Sequence, residues 1–351
     1  MQPSPTKRIW QQPGVVLGLI ALGLLLAMFV SAALGDKSIP PTTVVHALLN
    51  MEAPDDAING IIVRDIRVPR ILTAVLVGAT LAIAGAVLQA IFRNPLADPG
   101  LIGVSAGGAA GAISFIVFGS WLIPASWPLL HEIGISLFPM AGGIGVTLLV
   151  YRLALHEGRI HVTTMLLIGL AMNALVGALI GYAVFFSNDD QLRDYTFWSL
   201  GSLARANWNV LSWLAPIIVL LISALLRYRR QLNLLLLGEY EAVHLGLNVE
   251  KLRRRLILFT AGGVGLTVAL CGMIGFVGLI TPHLCRLMLG PDHRWLLPAS
   301  ALMGATTLVI ADLLARISIQ YSELPVGVLT ATVGAPFFLY LIVRAKRRAS
   351  F

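Results

Sequence analysis

Charge is what this chain has least of. Only 12% of its 351 residues are Asp, Glu, Lys or Arg, about half the share usual in soluble domains. With 57% hydrophobic residues and a mean hydropathy of +0.85, that scarcity excludes an ordinary soluble domain and identifies a polytopic membrane protein. Cysteine is nearly absent too. Cys271 and Cys285 stand in apolar runs without CxxC or Cys/His spacing, so neither a disulfide framework nor a metal site is expected. Lysine occurs four times and never after glycine, which rules out a G-x-x-x-x-G-K-[ST] phosphate loop. The apolar runs hold no chain of acids or histidines such as a proton-coupled carrier needs, and no paired groups for an intramembrane enzyme. His283, beside Pro282, has no second ligand nearby and reads as structural. Any energy source is therefore expected in another subunit, and no catalytic residue is assigned here.

What is present is apolar length. A bilayer core of roughly 30 Å takes about 20 apolar residues in a helix. Runs of that kind predict membrane helices near 14–34, 68–92, 100–120, 136–155, 163–186, 209–227, 256–272, 276–289, 296–317 and 325–343. The run at 276–289 is short, and Gly275 and Gly278 blur its boundary with the helix before it. Ten crossings put both termini on one side. That side carries 18 of the 25 Lys and Arg residues, so the termini are expected in the cytoplasm. The net charge of +8 thus reads as topology signals clustered between spans rather than a nucleic-acid surface. Lys7 and Arg8 precede an uncharged run at 15–34, longer than the core of a cleaved signal peptide. It is kept as the first membrane helix, although Ser31, Ala32 and Ala33 would permit cleavage.

The chain is organised around residues 64–108, RDIRVPRILTAVLVGATLAIAGAVLQAIFRNPLADPGLIGVSAGG, which read as a membrane hairpin broken at Asn94-Pro95. Gly78, Ala82, Gly85 and Ala86 follow small-xxx-small spacing, which lets helix backbones approach closely. This helix is expected inside the bundle. Arg67 and Arg70 flank Pro69 at what reads as its N-terminus, where cations oppose the helix dipole by about 0.3–1 kcal/mol each. Either they snorkel to lipid phosphates or something outside the helix wants them there, and the local sequence leaves both open. Arg316 is a third minority cation at an outer helix end, four residues from Asp312 and able to pair with it.

Other stretches have mechanical rather than chemical promise. Residues 227–255 include LNLLLLGEYEAVHLGLNVEKLRRR, too apolar for a solvated loop. Gly238 and Gly246 should break it into two short helices, with Glu239 and Glu241 in the first turn after Gly238. Such a pair suits docking to a soluble protein or lying on lipid. Residues 187–208 mix acids and aromatics and read as a lid or collar, with Trp198 and Trp208 as alternative interface anchors. Gln89, Thr164 and Asn173 are candidates for polar points on a translocation path, or for hydrogen bonds to neighbouring helices. Residues 78–85 and 265–272 share G-x-T-x-A-x-x-G, which is either an inverted repeat or chance between two small-residue helices.

Together these segments resemble the FecCD family of ABC importer permeases. The specific motifs are RVPR (67–70), GAVLQAIFRNPLADPGLIGVSAG (85–107), LGE with the following LGL (237–239, 245–247), GFVGLITPHLCRL (275–287), DHRWLLP (292–298), ADLLAR (311–316) and ELPVGVLTATVGAPFF (323–338). The resemblance runs from about residue 35 to 344. It implies an all-α type II ABC importer permease fold over the whole chain, 1–351, as one domain. It implies a homodimer in the bacterial inner membrane, seated on two copies of a separate ATPase that holds ATP and Mg, with no cofactor bound by this chain. A periplasmic binding protein would deliver cargo. In the family's vitamin B12 members, arginines matching Arg67, Arg70 and Arg316 meet glutamates of that binding protein. The segment at 228–255 matches the coupling helices, with Leu237, Gly238, Glu239, Leu245 and Gly246 facing the ATPase. Residues 189–203, 291–302 and 323–327 look closest to the haem branch, with ferric siderophore next and cobalamin third. No haem-iron ligand is evident, since His46 and His131 fall in expected outer loops.

Overall fold

Apolar runs bounded by Pro, Gly and Asn become a helical bundle. The computed structural model describes residues 12–49, 51, 57–122, 127–157, 159–319 and 323–349. Pro13 opens α1 (Pro13–Ala33) at the one helical position where a missing N–H costs nothing. Short helices α2 (Pro41–Leu48) and α3 (Ala57–Ile61) follow, and a π-helical turn (Ile62–Arg67) joins α3 to α4 (Val68–Ile91). Asp98 caps a 3-10 turn (Pro99–Ile102) by accepting from the Gly100 amide at 2.8 Å. Next come α5 (Val104–Leu122) and α6 (Pro128–Ala154), then a minimal antiparallel hairpin of β1 (Leu155–His156) and β2 (Arg159–Ile160), the one departure from an all-α chain among the described residues. α7 (Val162–Phe185) leads to α8 (Asp189–Ser199), which Asn188 and Gln191 close with a capping box. Asn207 caps α9 (Trp208–Arg227), which continues into α10 (Arg229–Leu237) and α11 (Glu239–His244). The rest is α12 (Val249–Cys271), α13 (Val277–Leu289), α14 (His293–Ile317) and α15 (Val326–Ala349).

Each of the ten predicted runs is a helix: α1, α4, α5, α6, α7, α9, α12, α13, α14 and α15. Among the described residues seven helical stretches are long and apolar enough to cross a membrane, and Val104–Gly119, Val277–Leu289 and Val326–Tyr340 are shorter apolar ones. At about 1.5 Å per residue α13 reaches only about 20 Å, which explains the weak boundary seen in the sequence. Two starts move. α12 begins at Val249 rather than 256, because Asn248 caps it by accepting from the Lys251 amide and the basic first turns are helical outside the apolar run. α6 begins at Pro128 rather than 136.

What precedes α4 is a larger correction. Residues Ala57–Ile91 form one 35-residue helical stretch, so Arg67 and Arg70 lie roughly three turns inside it, beyond the reach of the terminal dipole. Pro69 lacks an N–H and its ring conflicts with the carbonyl four residues back. The helix widens instead of ending: the Val68 amide bonds to the Val63 carbonyl, five residues back.

α4 is the axis of the bundle, 83% buried over its most apolar window against 17% for α7. A Cβ on Gly78 would sit 2.3 Å from the Gly304 carbonyl oxygen of α14, and one on Gly85 would sit 1.8 Å from that of Gly278 in α13. The sequence echo in α12 does not repeat this. Gly265, which matches Gly78, has its nearest neighbour at 3.5 Å, and Gly272, which matches Gly85, lies past the end of α12 at φ +69°, where a Cβ would sit 2.1 Å from the Trp198 carbonyl oxygen at the end of α8 rather than against a long apolar helix. The matched glycines do different work, as chance similarity predicts.

Candidate functional site

The ends of α1, α4, α14 and α15 gather the three singled-out arginines at one face. Arg67 donates from Nη1 to the Ala32 carbonyl at 2.7 Å and from Nη2 to the Lys37 carbonyl. Arg70 meets Asp312 at 2.8 Å and Glu323, just ahead of α15, at 2.8 Å. Arg316 donates to Asp312 Oδ2 at 3.2 Å, to Ser31 Oγ at 2.5 Å and to the Leu34 carbonyl at 3.2 Å. The Asp312–Arg316 pair read from their spacing therefore forms, and Arg70 joins it. The arginines are 5–6% exposed and Asp312 1%, so none of the three extends freely to solvent from this chain. Glu323, a third exposed on its side chain, is the open member of the cluster.

A cavity of about 600 Å³ lies beside this cluster, lined by Phe197, Trp198, Arg205, Asn207, Cys271 and Glu323 among others. Its wall is mostly apolar with Arg205 and Glu323 as charged groups. Trp198 is buried at 6% exposure and stacks near Tyr195 at 6.4 Å. It is a wall of this hollow rather than an interface anchor. Trp208 remains exposed and donates from Nε1 to the Arg64 carbonyl at 2.9 Å.

The opposite, basic face carries the predicted broken helix pair. Gly238 holds φ +130° between α10 and α11, and a Cβ there would meet Glu241 Oε2 at 1.8 Å. Gly246 ends the segment at φ +85°. Glu239 pairs with Arg253, and Arg253 meets Glu250 at 3.2 Å, so α11 is tied to α12. Leu236, Leu237, Tyr240, Val243 and Leu245 project outward, with Tyr240 73% exposed. Leu232 and Leu235 anchor the other side of α10 in the core. A helix pair with one face in the core and apolar side chains left on the other presents a surface awaiting cover.

The three path candidates are not brought together. Gln89 is buried between α4 and α13: its Nε2 donates to the Gly278 and Leu279 carbonyls at 3.4 and 3.3 Å, and its Oε1 accepts from Arg286 at 3.1 Å. It also borders a hollow of about 500 Å³ at the basic face, with Arg93, Leu237, Gly238 and His293. Asn173, half-buried on α7, donates to the Gly100 carbonyl at 3.1 Å. Thr164 is exposed near the start of α7. His46 lies on α2 and His131 in α6, helices rather than loops. Among the described residues no three His, Cys, Asp or Glu side chains could hold a metal ion together.

Two features escaped the sequence reading. Glu323 was visible only as part of a motif, since nothing local marks it as the partner of a residue more than 250 positions away. Asn233 on α10 bonds to Asp292 at 2.6 Å and looked like one polar residue in a leucine-rich stretch. The Asp292 carboxyl, raised by burial, is pulled below its ordinary range on balance by hydrogen bonds from the Arg294 amide and Asn233 and by the charge of Arg294. Its place before a helix was the available signal.

Comparison with known proteins fits a two-faced helical bundle. The hemin transport system permease protein of Yersinia pestis is 41% identical over 94% of this chain and 97% of its own length. The cobalamin import system permease protein of Halobacterium salinarum is 41% identical over 88% of this chain and 80% of its own. The vitamin B12 import system permease protein of Escherichia coli is 42% identical over 80% and 83%. A solved structure described as an inward-facing conformation of a metal-chelate type ABC transporter superposes with a TM-score of 0.82 at 34% identity, covering 95% of this chain and all of that one. The model of the FecCD transport family matches residues 23–344, and with one face of closed arginine contacts and another of uncovered apolar side chains on two short helices, this chain belongs to that family of ABC importer permeases.

Proposed function

We propose that this chain is the permease subunit of a haem importer in a bacterial inner membrane, working as a homodimer with both termini in the cytoplasm. Two copies of a separate ATPase bind α10–α11 through Leu237, Gly238, Glu239, Leu245 and Gly246 and hold the ATP and Mg. This chain contributes no catalytic group. The observation that carries the coupling role is the exposed apolar face of α10–α11 on a segment whose other face is anchored in the core. Lipid alone would not require Gly238 at positive φ or an ion pair fixing α11 to α12.

A periplasmic binding protein docks at the opposite face. With Arg67, Arg70 and Arg316 already bonded within the chain, the cluster acts on a partner's acids through its charge, which serves orientation and encounter rate more than affinity. The path runs along α7, the least buried span, with Thr164 and Asn173 on it and Gln89 at its inner hollow. The mostly apolar cavity beside Arg205 suits a flat amphipathic cargo with carboxylates. The hemin permease match supports haem because it spans 94% of this chain. The cobalamin and vitamin B12 matches at similar identity favour cobalamin as the second reading, and a ferric siderophore is the other cargo to test.

The test is uptake into proteoliposomes containing this subunit and its ATPase, supplied in turn with haem, a ferric siderophore and cobalamin on their binding proteins. Haem accumulation that stops without ATP is the expected result. Entry of a siderophore or cobalamin alone would overturn the cargo. Uptake without the ATPase would overturn the importer mechanism.

A further inference from the structure

A side-chain lock joins α10 to α14. Asn233 donates from Nδ2 to Asp292 Oδ1 at 2.6 Å. Its Oδ1 accepts from the His293 backbone N–H at 2.8 Å and lies 2.9 Å from His293 Nδ1. An amide oxygen only accepts, so Nδ1 is the ring nitrogen carrying the proton. Asp292 is also the N-cap of α14, accepting from the Arg294 amide at 2.9 Å. One side chain of α10 thus holds three groups at the first turn of α14. His293 is 2% exposed, so without Asn233 its backbone N–H and ring N–H would lose a partner while buried, whereas the half-buried Asp292 keeps access to water.

α14 cannot absorb a displacement at that turn by sliding on its neighbour. At mid-length its Gly304 backbone touches that of Gly78 in α4, where a Cβ on either glycine would meet the other's carbonyl oxygen at 2.3 Å. At the far end Asp312 is bonded to Arg70 of α4. α4 and α14 are therefore one rod, pinned at the middle and at the far end. The 25 residues of α14 carry it about 37 Å, from the lock to the arginine cluster. That cluster holds Glu323 ahead of α15 and the carbonyls at the end of α1. α11 is held to a different helix, α12, through Glu239 and Arg253. The two halves of the exposed hairpin thus report to different parts of the bundle.

We propose that Asn233 is a positioning residue that passes displacement of α10 to α14 through Asp292 and His293, and so to the cluster ahead of α15. The assignment rests on α10–α11 being the ATPase contact. Asn233 touches neither cargo nor nucleotide. Its effect is on how much transport each hydrolysis yields.

The experiment compares wild type, Asn233→Asp, and the paired exchange Asn233→Asp with Asp292→Asn in proteoliposomes with the ATPase. Cargo is whichever of haem, ferric siderophore or cobalamin enters with wild type, and the readouts are complex assembly, ATP hydrolysis and cargo delivered per ATP. Asn233→Asp sets two carboxylates against each other. The exchange returns one amide and one carboxylate to the lock with their positions reversed. The expected result is an assembled, hydrolysing Asn233→Asp complex whose cargo per ATP falls at least about fivefold, with the exchange restoring it to within about twofold. Unchanged coupling in Asn233→Asp overturns the proposal. So does failure of the exchange to restore it, or loss of assembly in Asn233→Asp, since each assigns Asn233 to stability alone. If wild type moves none of the three cargoes with ATP, the importer reading fails and takes this assignment with it, an outcome distinct from a coupled wild type with an unaffected variant.

Discussion

Asp312 sits between two guanidinium groups at 1% exposure. Replacing it by alanine would leave Arg70 and Arg316 buried without their shared counter-ion, a change that costs about 3–5 kcal/mol in comparable settings. Thermal unfolding of the purified protein in detergent should show Asp312→Ala as one of the most damaging polar substitutions, with Glu323→Ala well below it because Glu323 is partly hydrated. Equal effects would mean the cluster is not organised around Asp312. The sequence revealed this pair in part. Asp312 and Arg316 are one helical turn apart, so spacing alone brought them together. Arg70 and Glu323 lie more than 200 residues away from them or beyond a break between helices, and no local rule reaches that far.

The elements were legible wherever hydrophobic length decided them and less so where backbone chemistry did. All ten apolar runs are helices and α4 starts at Val68 as expected, yet helical backbone continues upstream of it where Pro69 normally marks a first turn. A π-helical turn let the helix pass through the proline instead, and the sequence signals for the two outcomes are the same. Helix contacts give the next prediction. Gly78→Leu would drive a side chain into the Gly304 backbone 2.3 Å from its Cβ and should destabilise the protein by about 3 kcal/mol or more, given that overpacking against side chains alone costs about 1–3. Gly145→Ala, with nothing within 4 Å of its Cβ, should be neutral or stabilise slightly through helix propensity. Unfolding temperatures of the two variants separate a packed glycine from an incidental one. A Gly78→Leu protein as stable as wild type would contradict the α4–α14 contact.

At the scale of the whole molecule, the two faces differ in kind. One is a cluster closed on itself by ion pairs, and the other leaves leucines and a tyrosine uncovered. Combined alanine substitution of Leu237 and Tyr240 should weaken association with the ATPase by about tenfold or more, since tyrosine is among the side chains that dominate interface energies and Leu237 adds apolar area beside it. Co-purification and binding measurements in detergent check this. Unaltered association would place the ATPase contact elsewhere. The fold of this chain should change little, because neither side chain is in the core.

The sequence by itself determined the membrane class, the number and order of apolar helices, the break at Gly238 and the family. These depend on composition, run length and local backbone preference, which are properties of neighbouring residues. Only the tertiary structure decided that the three arginines are spent inside the chain, that Trp198 walls a cavity, that the glycines of the sequence echo meet different partners from their matches in α4, and that Asn233 locks α10 to α14. Each of those depends on which side chains meet across the bundle. In a helical membrane protein that is set by close backbone contacts such as Gly78 with Gly304, which bring distant segments into register without leaving a periodic mark in either one.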